Sequence, residues 1–357
     1  MSNGAPIRTG IIGFGLAGRV FHAPFMATNP AFALTAIATS DAARTAQATA
    51  AHPGAEIMST DALLKRAAAG DLDLVILASP PHTHREQAIA ALEAGAAVVI
   101  DKPFVPSVAD AEAIIAAADA AQRPLTVFQN RRFDGDFRTV TRLVESGALG
   151  TVHRFESTFE RFGAPKRDQW QGQISAAQGG GILFDLGSHL IDQALTLFGP
   201  ATLEVAELRA VREGLGSEDD AFISLRHDNG VRSHLTMSRV AAQSGPRFRV
   251  LGDESGYCVY GLDGQEPDLK AGRWPGTDGY GETPKAEWGL LGVDNGKQPL
   301  TPVPTEAGGY PEFYGQVAAS ILDGAPVPVD ALSALETVRI IEAAHALAAA
   351  PHSELTT

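Results

Sequence analysis

A repeating pattern in the first 130 residues constrains the fold more than any other feature of the sequence. Short apolar runs alternate there with alanine-rich segments of helical character. The apolar runs occupy residues 7–13, 34–39, 74–78, 97–100 and 125–128, and two clear helical segments occupy residues 86–94 and 109–121. Near-continuous apolar strands separated by helices are typical of a parallel sheet covered on both faces. Residues 1–130 are therefore predicted to form an α/β domain built on a doubly wound parallel sheet.

The pattern changes after residue 130. Strand-like segments separated by turns occupy residues 151–162, 203–212, 221–226, 232–238 and 247–251. Asp228-Asn229-Gly230 is a suitable hairpin turn between two of them, because Asn-Gly tolerates positive φ. Residues 261–309 are rich in Gly and Pro and are expected to form long loops, with closing helices near 312–322 and 332–349. Residues 131–357 are thus predicted to form an α+β domain with a mostly antiparallel open sheet.

Composition narrows the classes of partner. Apolar residues make up 45% and charged residues 20% of the 357-residue chain, as in a globular protein with a substantial core. The formal charge of −14 argues against a nucleic-acid partner, which would need a basic face. A single cysteine, Cys258, excludes an internal disulfide and fits a reducing compartment. The N-terminus lacks a signal-peptide pattern and no apolar run is long enough to span a membrane, so we expect a cytoplasmic location and no membrane partner.

A glycine-rich motif follows the first predicted strand and precedes a helix. It reads Gly13-Phe14-Gly15-Leu16-Ala17-Gly18. In such a motif the first glycine allows a tight turn, the second lets the backbone approach a pyrophosphate, and the third lets helix and strand pack closely. The helix N-terminus offers N–H groups and a positive dipole end to the phosphates. In this βαβ setting the motif predicts a dinucleotide-binding Rossmann domain; the alternative is an ordinary glycine-rich turn.

The end of the second strand bears on the choice of cofactor. A site selective for NAD usually has an acid there to bind the ribose 2′-OH. Thr39 occupies that position and Ser40 follows, with Arg44 nearby, a set that suits a 2′-phosphate better. The sequence therefore predicts NADP(H). NAD remains the alternative, because a small shift in alignment would make Asp41 the selecting acid.

Two further patterns contain groups suited to proton transfer. Lys102 follows the strand at 97–100, at the edge of a parallel sheet where ligands bind, and its ammonium could stabilise a developing alkoxide. A surface lysine in a strand–Pro–helix turn is the alternative. Asp185 and His189 are four residues apart in a segment with helical periodicity, after three glycines at 179–181. His189 could accept a proton with Asp185 orienting it, or Asp185 could simply cap the helix.

Metal and serine-nucleophile chemistry are not expected. His82 and His84 lie two apart in a Pro-rich loop without an accompanying cysteine, which favours a loop that contacts the cofactor over a zinc site. No G-x-S-x-G sequence marks a nucleophilic serine. The sequence predicts no metal site.

These motifs, in this order, resemble the glucose–fructose oxidoreductase/inositol dehydrogenase family, also called Gfo/Idh/MocA. The matching elements are the glycine loop, Ser79-Pro80-Pro81 with His84, Asp101-Lys102-Pro103, and Asp185 with His189. Asp101 is a departure from the family pattern, because the residue before Lys-Pro is usually Glu in the family. Further stretches look similar to the family's NADP-dependent scyllo-inositol 2-dehydrogenases, and these are residues 14–24, 127–133, 159–162, 167–170 and 309–314.

The resemblance implies a catalytic set of Lys102, Asp185 and His189. In oxidation of a hydroxyl, His189 accepts the proton, Lys102 stabilises the oxygen, and Asp185 orients His189 or binds an adjacent hydroxyl. The resemblance also implies cofactor contacts from Ser79, Pro80, His84, Lys102 and Pro103. Weaker candidates for a sugar pocket are Arg161, Trp170 and Tyr310, and a plain surface charge is an equal alternative for Arg161.

The expected activity is hydride transfer between NADP(H) and a secondary hydroxyl or ketone of a cyclitol or sugar. The alternatives are a dehydrogenase or reductase of another sugar and a non-catalytic dinucleotide sensor. The presence of Lys102, Asp185 and His189 together argues against the sensor. The expected assembly is a homo-oligomer formed through the C-terminal sheet.

Overall fold

The computed structural model describes residues 5–163 and 174–350. The chain divides into two compact units. Unit 1 comprises the chain up to Gly135 together with Asp263–Thr283 and Glu306–Leu335. Unit 2 comprises Asp136–Leu262, Pro284–Thr305 and the chain from Glu336. The predicted division of the chain at residue 130 assigned Asp263–Thr283 and Glu306–Leu335 to the second domain, whereas the structure assigns them to unit 1. Sequence periodicity does not show which part of the chain a segment packs against.

Within the described residues, unit 1 contains a six-stranded sheet in the order β3-β2-β1-β4-β5-β6. The strands are β1 (Ile7–Ile12), β2 (Phe32–Ala38), β3 (Glu56–Met58), β4 (Leu74–Leu77), β5 (Ala97–Asp101) and β6 (Leu125–Phe128). All neighbouring strands are parallel. This confirms the predicted parallel α/β domain. The three-residue β3 was missed because it is too short and too exposed to give an apolar run.

Helices alternate with these strands. They are a π-helical turn (Ala17–His22), α1 (Ala23–Thr28), α2 (Ala42–Ala51), α3 (Thr60–Ala68), α4 (His84–Glu93) and α5 (Val108–Ala121), with short 3₁₀ turns at Pro81–Thr83 and Asn130–Phe133. Asp41, Ser59 and Ser107 each accept a hydrogen bond from the main chain of the first turn that follows. Such N-caps satisfy backbone donors that would otherwise lack a partner, and they fix where α2, α3 and α5 begin.

An aromatic cluster explains why residues from late in the chain belong to unit 1. The segment 306–335 includes a helix that we number α9 (Tyr310–Leu322). Its Tyr314 stacks on Phe25 with ring centroids 5.3 Å apart, and its Phe313 meets Phe128 edge-on at 4.8 Å. All four rings are buried. Burying rings of this size contributes several kcal/mol, so α9 is an integral part of the core of unit 1.

Unit 2 contains an eight-stranded sheet among the described residues, in the order β14-β13-β12-β11-β7-β10-β9-β8. The strands are β7 (Val152–Glu160), β8 (Ala201–Arg209), β9 (Asp220–His227), β10 (Arg232–Ser238), β11 (Phe248–Gly252), β12 (Gly256–Val259), β13 (Leu290–Gly292) and β14 (Thr301–Pro302). Only the β7–β10 pair is parallel within this sheet. The mostly antiparallel α+β prediction is confirmed.

Besides short 3₁₀ turns at Ala176–Gln178 and Lys285–Glu287, the described residues form four more α-helices and a second π-helical turn. They are α6 (Gly135–Glu145), a π-helical turn (Leu183–Gly187), α7 (Ser188–Phe198), α8 (Gln265–Lys270) and α10 (Ala331–Ala349). The region 261–309, expected to form loops, contains α8 and the two short strands β13 and β14 as well as loops. Among the described helices, none is both long enough and apolar enough to cross a membrane.

Candidate active site

The glycine loop lies between β1 and the π-helical turn, and its glycines differ in what surrounds them. Gly13 has φ +97°, and a Cβ there would lie 2.4 Å from the carbonyl oxygen of Ala78 at the end of β4. A Cβ on Gly18 would lie 2.0 Å from the carbonyl oxygen of Gly13. Around Gly15, by contrast, the nearest side-chain atom is 3.9 Å from such a Cβ. Packing therefore requires the first and third glycines, whereas the second leaves room beside the backbone.

The other residues of the loop contribute differently. Phe14 is buried and meets His52 edge-on at 5.8 Å, so its side chain belongs to the core and only its main chain is available to a ligand. Leu16 is half exposed, at 51%. The N–H groups of the loop and of the following turn lie at the carboxyl end of β1, where a parallel sheet binds its ligands. The loop thus fits a dinucleotide pyrophosphate.

The residues after β2 are arranged around the start of α2. Thr39 is half-buried and Ser40 is exposed. Asp41 caps α2, and its Oδ1 accepts a hydrogen bond of 2.8 Å from the main-chain N–H of Arg44. The side chain of Arg44 reaches back to the glycine loop, with Nη1 3.9 Å from the Cβ position of Gly15. A guanidinium group therefore lies beside the part of the loop that is open to a ligand.

Lys102 directly follows β5 and is half-buried. Its peptide bond to Pro103 is cis. Strand β5 is separated from β1 in the sheet only by β4, so Lys102 and the glycine loop lie at the same carboxyl edge. An ammonium at this edge can donate hydrogen bonds to an oxygen of a bound substrate.

His84 links the two loops that follow β4 and β5. Its side chain is buried, with Nδ1 2.7 Å from the carbonyl oxygen of Phe104 and Nε2 2.9 Å from that of Ser79. Burial lowers the pKa of His84, against the opposing effect of these two carbonyl groups. Both ring nitrogens are used by the protein itself, so this geometry favours a role in holding the loops near Lys102 rather than contact through the ring with a cofactor.

A buried histidine also lies behind the end of β5. His22 Nδ1 is 2.5 Å from the Tyr314 hydroxyl, and His22 Nε2 is 3.5 Å from Asp101 Oδ1. Burial, followed by the charge of Asp101, raises the pKa of Tyr314 well above its ordinary value. Asp101 is the residue that departs from the family's usual Glu, and here its carboxylate faces an imidazole. This polar chain fixes the strand end that precedes Lys102.

Tyr310 has an environment that does not suit a sugar pocket. It is fully buried, its hydroxyl donates to Asp134 Oδ1 at 2.7 Å, and it accepts from Asn130 Nδ2 at 2.8 Å. Asp134 in turn accepts from Arg131 Nη1 at 3.0 Å. Tyr310 is therefore part of a buried polar network in unit 1. Trp170, the other aromatic candidate, lies outside the described residues.

Asp185 and His189 lie in unit 2, on either side of a change in helix type. Asp185 is in the π-helical turn and is half-buried, whereas His189 is in the first turn of α7 and is 3% exposed. The segment predicted to be helical is helical, and its first residues form a π-helical turn rather than an α-helix. Gly187 lies at the junction, where a Cβ would be 2.7 Å from Leu183 Cδ1 and 3.1 Å from Met237 Sδ. A side chain there would have to displace the ends of these two side chains, so glycine allows this turn to pack closely on β10.

Glu218 caps the start of this segment. Its carbonyl oxygen accepts from the N–H of Ile182 at 3.0 Å, and its Oε1 accepts from the N–H of Leu183 at 3.1 Å. A Cβ on Gly181 would lie 2.1 Å from Glu218 Oε1, and one on Gly180 would lie 2.3 Å from the Ile174 carbonyl oxygen. These two glycines therefore make room for the protein's own oxygens. Nothing in the local sequence around residue 182 indicated Glu218.

Asp185 is paired with two arginines. Arg239 Nη2 forms a short ion pair with Asp185 Oδ2, and Arg161 Nη2 lies 3.6 Å from the same oxygen. Arg161 was a candidate from the sequence, and the structure brings it to Asp185. Sequence reasoning missed Arg239. The signal that could have found it is the parallel alignment of β7 and β10, which places residues 161 and 239 side by side.

A buried arginine holds α7 one turn beyond His189. Arg247 is 2% exposed, and its guanidinium donates to Gln193 Oε1 and Ser157 Oγ, both at 2.7 Å. It also lies 4.0 Å above the ring of Phe248. Hydrogen bonds from a buried cation fix position more firmly than neutral ones, so the helix that carries His189 is anchored to β7. Among the described residues, no group of three or more His, Cys, Asp or Glu could hold a metal ion.

Two family models match the chain. Residues 7–129 match the oxidoreductase family with an NAD-binding Rossmann fold, and residues 137–257 match the GFO/IDH/MocA C-terminal domain. The chain is 33% identical to scyllo-inositol 2-dehydrogenase (NADP(+)) IolW of Bacillus subtilis, over 95% of this chain and 92% of that protein. It is 37% identical to the uncharacterized oxidoreductase YdgJ of Escherichia coli, over 94% of each.

A solved structure is also similar over nearly the whole chain. The oxidoreductase YvaA of Bacillus subtilis has a TM-score of 0.89 and 32% sequence identity, and the match covers 97% of both chains. The parallel sheet and the mostly antiparallel sheet described above thus occur together in a known oxidoreductase fold.

The cap formed by Glu218 can be tested with a matched pair of variants. Glu218→Ala removes the side-chain acceptor of the Leu183 N–H, and we expect it to lower the free energy of unfolding by about 1–3 kcal/mol. Glu218→Gln keeps an acceptor oxygen on a side chain of the same length. Because burial raises the pKa of Glu218, the neutral amide should cost less than about 1 kcal/mol. Urea unfolding followed by circular dichroism measures both.

The pH dependence of stability provides the control. A carboxyl whose pKa is raised in the folded state holds its proton more tightly there, so its contribution to stability falls as the pH rises above the ordinary pKa of Glu. The Gln variant should lack that component. Equal losses of stability in the Ala and Gln variants would show that the carboxyl does not act as a cap.

Proposed function

The chain belongs to the Gfo/Idh/MocA family of oxidoreductases, and we propose that it transfers a hydride between NADP(H) and a secondary hydroxyl or ketone of a cyclitol or sugar, in the manner of a scyllo-inositol 2-dehydrogenase. One observation carries the proposal. The open side of the glycine loop at Gly15 and the side chain of Lys102 lie at the carboxyl edge of the same parallel sheet, two strands apart. A phosphate cradle and a cation able to bind a reacting oxygen are what this reaction requires in one place.

The residues of unit 1 would hold the cofactor as follows. The main-chain N–H groups from Gly13 to Gly18 bind the pyrophosphate, with Gly15 allowing its approach. Thr39, Ser40 and Arg44 bind the adenosine ribose with its 2′-phosphate. The loop with Ser79 and Pro80 and the turn with Lys102 and Pro103 border the nicotinamide, with His84 holding both loops in position. When bound, the cofactor supplies or accepts the hydride.

The proton-transfer roles fall to two residues. His189 accepts the hydroxyl proton at a ring nitrogen during oxidation and returns it during reduction, because imidazole exchanges protons near neutral pH. Lys102 donates a hydrogen bond to the reacting oxygen and stabilises the negative charge that develops there. Neither step needs a metal.

Asp185 and Arg161 would contact further hydroxyl groups of the substrate. A carboxylate beside the reacting carbon accepts hydrogen bonds from hydroxyl groups, which every cyclitol and sugar provides. The relatives support this substrate class, since one is named as a scyllo-inositol 2-dehydrogenase. Another aldose or keto-sugar is the competing substrate. A homo-oligomer formed through the eight-stranded sheet and a cytoplasmic location remain predictions.

The proposal is tested with a panel of substrates. Inositols, aldoses and their keto forms are each assayed with NADP(H) and NAD(H), following the absorbance of the reduced nicotinamide. We expect turnover with at least one cyclitol. Turnover confined to an aldose or a keto-sugar would replace the cyclitol with that sugar, and binding of cofactor without turnover of any compound would favour a dinucleotide sensor.

Two substitutions test the proton-transfer roles. Lys102→Ala and His189→Asn should each lower kcat by roughly 10²- to 10⁴-fold, the usual effect of removing a positioned acid, base or oxyanion donor. Fluorescence titration should show that the His189 variant still binds the cofactor. The wild-type rate of oxidation should rise with pH as His189 loses its proton, and this limb should disappear in His189→Asn. A near-normal kcat in either variant would remove that residue from the mechanism.

The choice of cofactor has its own prediction. Thr39, Ser40 and Arg44 donate hydrogen bonds, and a charge-assisted bond contributes about 1.5–3 kcal/mol, or roughly 10- to 100-fold in affinity. We expect the Kd for NADPH to be at least about tenfold below that for NADH. Thr39→Asp should reverse this order by adding a negative charge. Direct titration of each cofactor by fluorescence measures both constants.

A matched variant controls for Asp41. Asp41→Asn retains a good N-cap for α2 but removes the charge, so it should leave α2 intact and should not weaken NADH binding. If NADH binds the wild type as tightly as NADPH and loses affinity in Asp41→Asn, then Asp41 is the residue that selects the cofactor.

A further inference from the structure

Two arginines stand side by side at the end of a parallel strand pair in unit 2. Strands β7 and β10 pair in parallel, with Glu160 opposite Ser238 as the last residues. Arg161 and Arg239 come next in each strand, and the N–H of Arg161 donates to the carbonyl oxygen of Ser238 at 2.9 Å. Both guanidinium groups turn toward the carboxylate of Asp185. The sheet itself therefore sets the spacing of the two cations.

Hydrogen bonds fix both the N–H and the carbonyl group of the Arg239 main chain. Its N–H donates to the carbonyl oxygen of Asp219 at 2.9 Å, and its carbonyl oxygen accepts from Arg212 Nη2, also at 2.9 Å. Its side chain is 13% exposed, against 46% for Arg161. A guanidinium with a fixed backbone and a mostly buried side chain presents its charge in one direction. Arg239 is thus the firmer of the two contacts to Asp185.

The groups that face Asp185 decide its protonation state. Arg239 and Arg161 approach it from the ends of β10 and β7, His189 follows it by four residues in α7, and Glu218 lies under the start of its segment. A guanidinium at ion-pair distance favours the charged form of a carboxyl. An ionised carboxylate offers only acceptor atoms, so it can bind a substrate hydroxyl but cannot donate a proton to it.

We propose that Arg239 is a positioning residue of the reaction, which acts by keeping Asp185 ionised and fixed in orientation, with Arg161 as a second and more exposed cation. Arg239 acts through Asp185 and has no role in proton transfer of its own. This inference rests on the proposed function for its effect on turnover. The ion pair itself can be tested without turnover.

The first test is a double-mutant cycle. Arg239→Met should lower kcat/KM by about 10- to 100-fold, mostly through kcat, as expected for loss of a charge-assisted contact that orients a reacting group. Arg239→Lys should recover part of the loss. In an Asp185→Asn background, Arg239→Met should change kcat by less than about twofold, because the partner of the arginine is already absent. Full additivity of the two losses would overturn the proposal.

The second test is a pH profile in the direction of ketone reduction. In reduction the protonated form of His189 donates the proton, so low pH favours this step. A fall in rate at acid pH therefore cannot be attributed to His189. The wild type should keep its activity at acid pH. In Arg239→Met, Asp185 should take up a proton more easily and the rate should fall at acid pH. An acid limb equal to that of the wild type would contradict the proposal.

The third test does not depend on turnover. Labelling with ¹³C-aspartate and assignment of Asp185 with the Asp185→Asn variant allow its carboxyl carbon to be titrated by NMR. Its titration should move to higher pH in Arg239→Met, and by a smaller amount in Arg161→Met, because that arginine is more exposed and farther from the carboxylate. An unchanged titration would overturn the proposal. Absence of wild-type turnover with every compound would instead overturn the proposed function, and the titration would still decide the ion pair.

A matched control separates this effect from the loss of any ion pair on the sheet. Arg226 on β9 pairs with Glu204 on β8, 2.8 Å apart, and its side chain is 46% exposed. Arg226→Met removes an arginine of the same sheet without touching Asp185. It should leave kcat, the pH profile and the Asp185 titration unchanged, and thermal unfolding should confirm that all variants are folded at the assay temperature.

Discussion

The close approach of the glycine loop to the end of β4 is the constraint on which the proposed cofactor site depends. A side chain at Gly13 or Gly18 would meet a carbonyl oxygen at 2.4 Å or 2.0 Å, so only glycine lets β1, β4 and the following helical turn come together. Gly15 is under no such pressure from the protein. The motif therefore combines two packing requirements with one open position, where the proposed pyrophosphate would approach the backbone.

Unit 2 uses its glycines in another way. Gly181 has no Cβ because the carboxyl of Glu218 occupies that space and caps the segment that carries Asp185. The two acids then stand in opposite environments within one short stretch of structure. Burial raises the pKa of Glu218, whereas Asp185 is paired with guanidinium groups that favour its charge. One carboxyl serves the main chain, and the other is, in our proposal, a charged acceptor for a substrate hydroxyl.

Local periodicity was enough to predict five of the six strands of the parallel sheet and the place of Lys102, because buried strands read as apolar runs. It could not predict partners that are distant in sequence. Arg239 lies 54 residues from Asp185, and the sequence motif gave no reason to pair them. Tyr310 was one of the weaker sugar-pocket candidates, and its hydroxyl donates a hydrogen bond to Asp134, 176 residues away in the sequence. The strands β12, β13 and β14 were missed because they are short and at most partly buried, unlike the fully buried four-residue strands β4 and β6.

The charges beside the glycine loop bear on the choice between the two cofactors. The Asp41 carboxylate caps α2 and would repel a 2′-phosphate, but it is exposed and water screens it. At about 4 Å in water such a repulsion is worth about 1 kcal/mol. The guanidinium of Arg44 lies beside the glycine loop, and a charge-assisted hydrogen bond from it to a 2′-phosphate would be worth about 1.5–3 kcal/mol. On our proposal of NADP(H), such a bond would outweigh the screened repulsion from Asp41.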